Sequence, residues 1–332
     1  MTRTLLYIAI LAATLLSCSG RARSADTQAP AAAGDTVAEA GSVSADSLMS
    51  MVRAQTALGP RVPGSAAHAA CVDMLVGRLA ACGADTVEIL ESDATGWDGK
   101  RLRVRNILAR YGADSPSRIL LLAHYDTRPW ADREADAARR DTPIDGANDG
   151  ASGVAALLEI ARNLAIRPAA VGVDILLTDC EDYGAPDGEP GGEDSWCLGS
   201  QAFAADLPYT PATMPRFGIL LDMIGGRGAQ FHREYFSEQA APAVNDLIWG
   251  TARRLGLGSR FVDRPGGAIT DDHLPLIRAG IPTADIIECA SARTGSFPAT
   301  WHTLDDNAAN IDSAAMRDAT RVVLNVIYNQ HP

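Results

Sequence analysis

Five apolar residues, Ile119-Leu120-Leu121-Leu122-Ala123, break without transition into His124-Tyr125-Asp126. The run is too short for a helix and is bounded by polar residues, so it reads as a buried strand. After a polar loop, Gly146-Ala147-Asn148-Asp149-Gly150 leads into Val154, Leu157, Leu158, Ala161 and Leu164 at helical spacing. That spacing predicts a helix whose Asn148-Asp149-Gly150 entrance supplies the cap. His124 then stands where a strand ends and Asp149 where the next helix begins. In open α/β sheets this edge is where ligands bind.

The pattern recurs along the chain. Residues 171–178 form a second largely apolar run, ending in Asp179-Cys180-Glu181-Asp182; 217–221 end in Asp222, and 283–287 end in Glu288. Residues 86–90 and 102–111 read as two further strands. Ser65 reads as the cap of a helix with Val72, Leu75, Val76 and Leu79 on one face and Gly83 at its end. A last helix, 312–328, turns Met316, Ala319, Val323, Val326 and Ile327 inward. Strands alternating with helices, each strand mainly apolar, imply a sheet covered on both faces. The expected fold is α/β: one domain, three layers αβα, with a mostly parallel mixed central sheet.

The start of the chain reads differently. Thr2-Arg3 precedes an apolar stretch at 5–16, which is too short to span a membrane stably and is followed by Ser17-Cys18-Ser19, as in a secretory signal. Leu15-Leu16-Ser17-Cys18 resembles a bacterial lipobox, in which Cys18 is lipidated; a plain signal cleaved nearby is the alternative. From there to about residue 40 the chain is mostly Ala, Ser, Gly, Asp and Pro, too poor in apolar surface to offset its ordering entropy. The expected division is a lipoprotein signal peptide at 1–17, a flexible tether at 18–43 and a folded domain at 44–332. The expected location is outside the cytoplasm, anchored to a membrane and facing the periplasm or cell surface.

Net charge is −12 over 332 residues. No basic cluster is long enough to follow a phosphate backbone, so no nucleic-acid partner is expected. Acidity suits cationic or amine-bearing substrates, although its commoner meaning is solubility. Of six cysteines, Cys71 and Cys82 lie about 16 Å apart along a helix and cannot bridge. Cys180 with Cys197 is the one local pair worth considering. With no Cys-x-x-Cys spacing, a cysteine zinc site is not indicated.

What remains is a set of cation-binding residues at strand ends: His124, then Glu181-Asp182, then Asp222, with Asp149 at a helix entrance and His302 in a late loop. Zinc takes imidazole nitrogen and carboxylate oxygen, and catalytic zinc keeps one position open. Adjacent acids on an extended chain point in opposite directions, so one of Glu181 and Asp182 binds metal while the other is free to act as general base. Asp126 is placed to orient His124 from behind. Two long loops, 128–144 and 183–198, are expected to shape the pocket, with Trp130, Trp196 and Phe297 at an apolar mouth.

In this order, His124-Tyr125-Asp126, Asn148-Asp149-Gly150, Glu181-Asp182, Leu221-Asp222 and Trp301-His302-Thr303 resemble the M28 zinc peptidase superfamily, with its zinc aminopeptidase-like fold. Within it the closest likeness is to glutaminyl cyclases (glutaminyl-peptide cyclotransferases). That likeness is carried by Leu221-Asp222-Met223-Ile224-Gly225, Thr270-Asp271-Asp272-His273-Leu274-Pro275 and Trp301-His302-Thr303-Leu304-Asp305-Asp306-Asn307. The resemblance implies an M28-type catalytic domain acting on peptide or protein N-termini, turning N-terminal glutamine into pyroglutamate and ammonia. It implies Asp149, Asp182 and His302 as ligands of one zinc, with Glu181 as general base. Asp222 and Asp271 would complete the catalytic set, and Trp301 would form part of the pocket wall. Asp182 stands where animal cyclases carry Glu. His124 and Asp222 also resemble second-zinc ligands of the aminopeptidase relatives, so two ions remain possible and a two-zinc aminopeptidase is the alternative activity.

Overall fold

A six-stranded sheet runs in the order β1-β2-β4-β3-β5-β8. Its members are β1 (Thr86–Thr95), β2 (Arg101–Tyr111), β3 (Arg118–His124), β4 (Gly172–Thr178), β5 (Gly218–Leu221) and β8 (Thr283–Ile286). The two strands between, β6 (Phe231–Arg233) and β7 (Phe261–Pro265), pair with each other alone. β3 is parallel to β4 and β5, and β5 to β8, whereas β1–β2 and β2–β4 are antiparallel. The expected mostly parallel mixed sheet is therefore the one formed. The computed structural model describes residues 41–186 and 188–332, all within one compact unit, Val37–Pro332. The expected signal peptide, Cys18 and nearly all of the expected tether lie outside the described residues.

The helices are α1 (Ala45–Thr56), α2 (Ala66–Ala81), α3 (Ala151–Ile166), α4 (Leu198–Ala205), α5 (Tyr235–Ala240), α6 (Pro242–Arg254), α7 (His273–Arg278) and α8 (Ser313–Tyr328). The strand period of two decides which helices meet which face. Ile107, Ala109, Ile119, Leu121, Ala123 and Ile175 point into the core shared with α1, α2, α3 and α8. Their sequence neighbours Leu108, Leu120, Leu122 and Leu176 point the other way, against Phe203 of α4 and Leu276 of α7. Every residue of β3 and β4 is buried. Three layers follow, as expected.

Ser44 caps α1, accepting from Ser47 N. Just before it, Ser42 is tied to α3 through Asn163 Oδ1 at 3.2 Å and Arg162 at 2.8 Å. The last residues of the expected tether are thus held on the domain, Ser42 by polar contacts and Val43 by packing against the core. A second departure concerns α3. Its cap is Gly150, with no side-chain cap bond, and Asn148-Asp149 do not serve the helix as expected. Asn148 Oδ1 instead accepts from Gly225 N at 2.7 Å, and the Asp149 carboxylate turns outward. A Cβ on Gly150 would lie 2.3 Å from the His124 carbonyl. Glycine at this position lets the start of α3 approach the end of β3.

Candidate active site and metal centre

β3 lies between β4 and β5: the chain runs from β3 outward to β4 and then back past β3 to β5, and this reversal opens a crevice at the carboxyl ends. His124 closes β3, Glu181 and Asp182 follow β4, Asp222 follows β5, and Asp149 precedes α3. The late loop carrying His302 reaches the same place. Here Asp149, Asp182 and His302 present ligand atoms within 4.8 Å of one another, all buried. His302 Nε2 is 3.2 Å from Asp182 and 3.7 Å from Asp149.

His124, Asp149 and Asp222 form an adjoining group on the same criterion. His124 Nε2 is 2.9 Å from Asp149 Oδ1 and 3.2 Å from Asp222 Oδ1. Asp149 thus faces both groups, one through each oxygen. Glu181 points elsewhere, toward Cys197 and Asp271. The adjacent acids are divided between two clusters as expected, although the chain here is a bend rather than an extended strand, with Cys180 at positive φ.

Neither oxygen of Asp182 makes a hydrogen bond although both are buried. Arg128 at 3.6 Å and His302 at 3.2 Å are its charged neighbours, yet the oxygens lack hydrogen bonds, and buried acceptors left so are costly. Two carboxylates and one imidazole form a donor set suited to catalytic zinc with an open position. The residues present fit that ion.

Around the ligands lie residues that sequence reasoning assigned no role. Asp132 sits 3.3 Å from His302 Nδ1 and is gripped by Arg128, whose Nε and Nη2 donate to it at 2.8 Å each. Arg128 also donates to the Asp182 and Gly184 carbonyls at 3.1 Å. Asp306 accepts from the backbone N–H of Asn148 and Asp149 at 2.7 and 3.1 Å. Asp126, expected behind His124, is 3.4 Å from its Nδ1, but its hydrogen bonds come from the N–H groups of Glu181 and Asp182. It holds the acidic pair as well as facing the imidazole.

The backbone is strained at the same place. Among the described residues, the non-glycine positions with positive φ are Cys180, Cys197, Met223 and His302, at 54°, 58°, 46° and 54°. Each is a site residue or adjoins one. Such conformations cost about 1–3 kcal/mol each and cluster where geometry is imposed for function. Cys180 and Cys197 flank Glu181 as free thiols, not a disulfide. Cys197 Sγ donates to Glu181 Oε1 at 3.3 Å.

Burial pushes Glu181 well above the ordinary carboxylate range, with Asp271, Asp182 and Asp272 adding to the rise and His124 opposing it. Asp271 is raised in the same way by burial, Asp222 and Asp272. Asp182 is pushed up to about 6, by burial and by Asp149. Burial also presses on Asp149, but the imidazoles of His124 and His302 hold it below its ordinary value. A buried acid with a raised pKa, beside a metal-binding group and inside a cleft, is suited to proton transfer near neutral pH.

The cleft has a volume of about 500 Å³. Asp149, Glu181, Asp182, Asp222, Asp271 and His302 line its floor, with Trp196, Phe297 and Trp301 on its walls. Of the two loops expected to shape it, only 183–198 lines it. Loop 128–144 acts from behind through Arg128 and Asp132. Trp130 is not at the mouth: it packs edge-on against Trp97 and Tyr183 at 5.7 and 5.2 Å, its ring facing Arg128. Ala268, Ile269 and Ser296, beside the expected Asp271 and Phe297, also line the wall, as do Met223 and Ile287.

Residues 106–327 match peptidase family M28. The chain belongs to that family, in which its fold and strand-end donor groups are at home. Its relatives include bacterial glutaminyl cyclases: the solved enzyme of Bacteroides thetaiotaomicron is 46% identical, with 88% of this chain and 99% of that one covered and a TM-score of 0.84. A Zn-dependent exopeptidase of Parabacteroides distasonis is 43% identical, with 88% and 100% covered and a TM-score of 0.84. The glutaminyl-peptide cyclotransferase of Bos taurus is 25% identical over 297 residues, 79% of this chain and 76% of its own. The resemblance read from the ordered motifs is borne out.

Proposed function

We propose that this protein is a zinc-dependent glutaminyl cyclase converting N-terminal glutamine of peptides or proteins to pyroglutamate with release of ammonia. The observation that carries the reading is the pairing of Glu181 with Asp271 beside, but apart from, the metal group. Asp271 Oδ2 is buried without a hydrogen-bond partner. A primary amide brings two N–H donors to such an acceptor, whereas a backbone amide brings one. A site with unpaired buried acceptors discriminates strongly in favour of the group that satisfies them.

Zinc held by Asp149, Asp182 and His302 would supply Lewis-acid polarisation of the side-chain amide carbonyl. Glu181 takes a proton from the α-amine as its nitrogen bonds to the amide carbon. It then returns that proton to the departing nitrogen as the old C–N bond breaks, so no water is consumed. Asp222 and Asp271 hold the amide nitrogen, and Trp196, Phe297 and Trp301 exclude solvent around it.

A two-zinc aminopeptidase remains the second reading, favoured by the His124–Asp149–Asp222 group and by the exopeptidase relative. Incubation with Gln-peptides and Leu-peptides separates the two: ammonia from the first supports the cyclase, and free leucine from the second replaces it. One zinc per chain is expected for the cyclase. Anchoring at Cys18 and a location facing the periplasm or cell surface belong to the same proposal, supported by the lipobox-like spelling. Membrane association unchanged in Cys18→Ala would overturn that part.

A further inference from the structure

The pocket changes character from floor to mouth. Its exposed lining residues are Gly188, Glu189, Gly192, Glu193, Ala268 and Ser296, and the charged ones are both acids. Among the described residues no lysine or arginine lines it. Some surface acids carry counter-ions, as Glu91 does with Arg103, Asp93 with Arg101 and Asp263 with Arg233. Glu189 and Glu193 do not, and unlike other unpaired surface acids they line the pocket. Their hydrogen bonds run through the backbone, from Glu189 N to the Pro186 carbonyl at 3.0 Å and from Trp196 N to the Glu193 carbonyl at 3.3 Å. Among the described residues neither carboxylate has a hydrogen-bond or ion-pair partner.

The arginines nearest the walls do not cancel them. Arg128 stacks behind Trp196 at 4.6 Å and is neutralised by Asp132. Arg133 covers the Trp301 ring at 4.9 Å, and Arg278 shares with Glu193 the lining of a small adjoining recess outside the pocket itself. At the floor, two of the carboxylates face the metal group. The rim pair therefore presents two carboxylates without a direct ion pair to whatever leaves the pocket.

A peptide seated with its N-terminal residue on the floor must pass its second and third residues through this rim. We propose that Glu189 and Glu193 select Gln-peptides whose following residues are basic and discriminate against acidic ones. This rests on the cyclase reading above. Exposed pairs contribute modestly, so the two acids together should favour a basic over a neutral second residue by about three- to tenfold in kcat/KM, and disfavour an acidic one similarly. Screening shortens to about 3 Å at 1 M salt, where the preference should collapse.

The test measures ammonia release by the zinc-loaded enzyme from Gln-Lys-Ala, Gln-Ala-Ala and Gln-Glu-Ala, at low salt and at about 1 M. The expected order is lysine, alanine, glutamate, flattening with salt and in the Glu189→Gln, Glu193→Gln double variant. Equal rates at low salt, an order that salt leaves intact, or an order that survives in the active double variant would overturn it. Should the double variant be inactive, the salt series on the unaltered enzyme still decides. No ammonia from any of the three would overturn the cyclase reading and this inference with it, whereas ammonia without charge order removes this inference alone.

Discussion

Asp132→Asn isolates what holds the metal group in place. Asp132 receives two 2.8 Å bonds from Arg128 and lies 3.3 Å from His302 Nδ1. Burial raises its pKa, yet Arg128 and His302 prevail and hold it well below the ordinary carboxylate value. Asparagine keeps one acceptor and turns an NH2 toward either the guanidinium or the imidazole N–H. Breaking one partner of a buried ion pair costs about 3–5 kcal/mol. Asp132 keeps 16% of its side chain exposed, and Arg128 retains two carbonyl acceptors, so about 2–3 kcal/mol is the reasonable share. A residue that orients a ligating histidine typically affects metal affinity by about 10- to 100-fold, or about 1.4–2.7 kcal/mol. The assays are chelator competition for zinc and urea unfolding of the metal-free protein, kept separate because bound zinc stabilises the fold by itself. Wild-type zinc affinity together with wild-type metal-free stability would refute the assignment.

Two further outcomes follow from the geometry. Glu181→Gln should lower kcat by about 10²- to 10⁴-fold with zinc content intact, whereas Asp182→Ala should lose zinc as well as activity; metal analysis giving the reverse would exchange their roles. In Gly153→Ala the new Cβ would lie 2.0 Å from the Leu221 carbonyl and 3.0 Å from Ala123 Cβ. The helix-propensity gain of about 1 kcal/mol is outweighed, and urea unfolding should show a net loss of about 2 kcal/mol or more.

The parts of the site legible in the sequence are those that a strand delivers locally. A buried run ending in His124, Glu181-Asp182 or Asp222 places its last side chain at the sheet edge whatever the rest of the chain does. Glu181 and Asp182 diverge as expected, but on a bend that Asp126 holds through both their N–H groups and not on an extended strand. The supporting groups were not legible because their partners lie far off in sequence: Asp306 meets the Asn148 N–H across 158 residues. Asp149 was legible as a metal ligand, but the capping role expected of the Asn148-Asp149-Gly150 entrance was not met, because Asn148 is taken up by Gly225 and Asp149 by the histidines. One signal was available and unused. Asp285 interrupts the apolar run of β8 and is fully buried, its carboxylate within reach of Asp271 and His273. The small elements α5, β6 and β7 carry no periodicity long enough to read.

Gathering so many acids at one edge gives metal-free stability a distinctive pH dependence. Burial lifts Asp182 from 3.8 to about 6, Asp272 to about 6 and Asp306 to about 7. A carboxyl with a raised folded pKa binds its proton more tightly in the folded chain. Its stabilising contribution is complete below 3.8 and is lost as pH rises through 6 to 7. The acids with lowered values work in another window: Glu234, held at about 2 by His273 and backbone N–H groups against its burial, loses its contribution only as pH falls below about 4.5. Between about pH 4.5 and 7 these shifts therefore share one sign, each with a slope of up to about 1.4 kcal/mol per unit. The metal-free protein should gain stability as pH is lowered from about 7 to about 5. Zinc should reverse the trend, because ligands must be deprotonated to bind it and acid weakens its contribution. Urea midpoints for the two forms should thus converge on acidification, and a metal-free midpoint that falls from pH 7 to 5 would show that the buried acids are not proton-loaded in the fold.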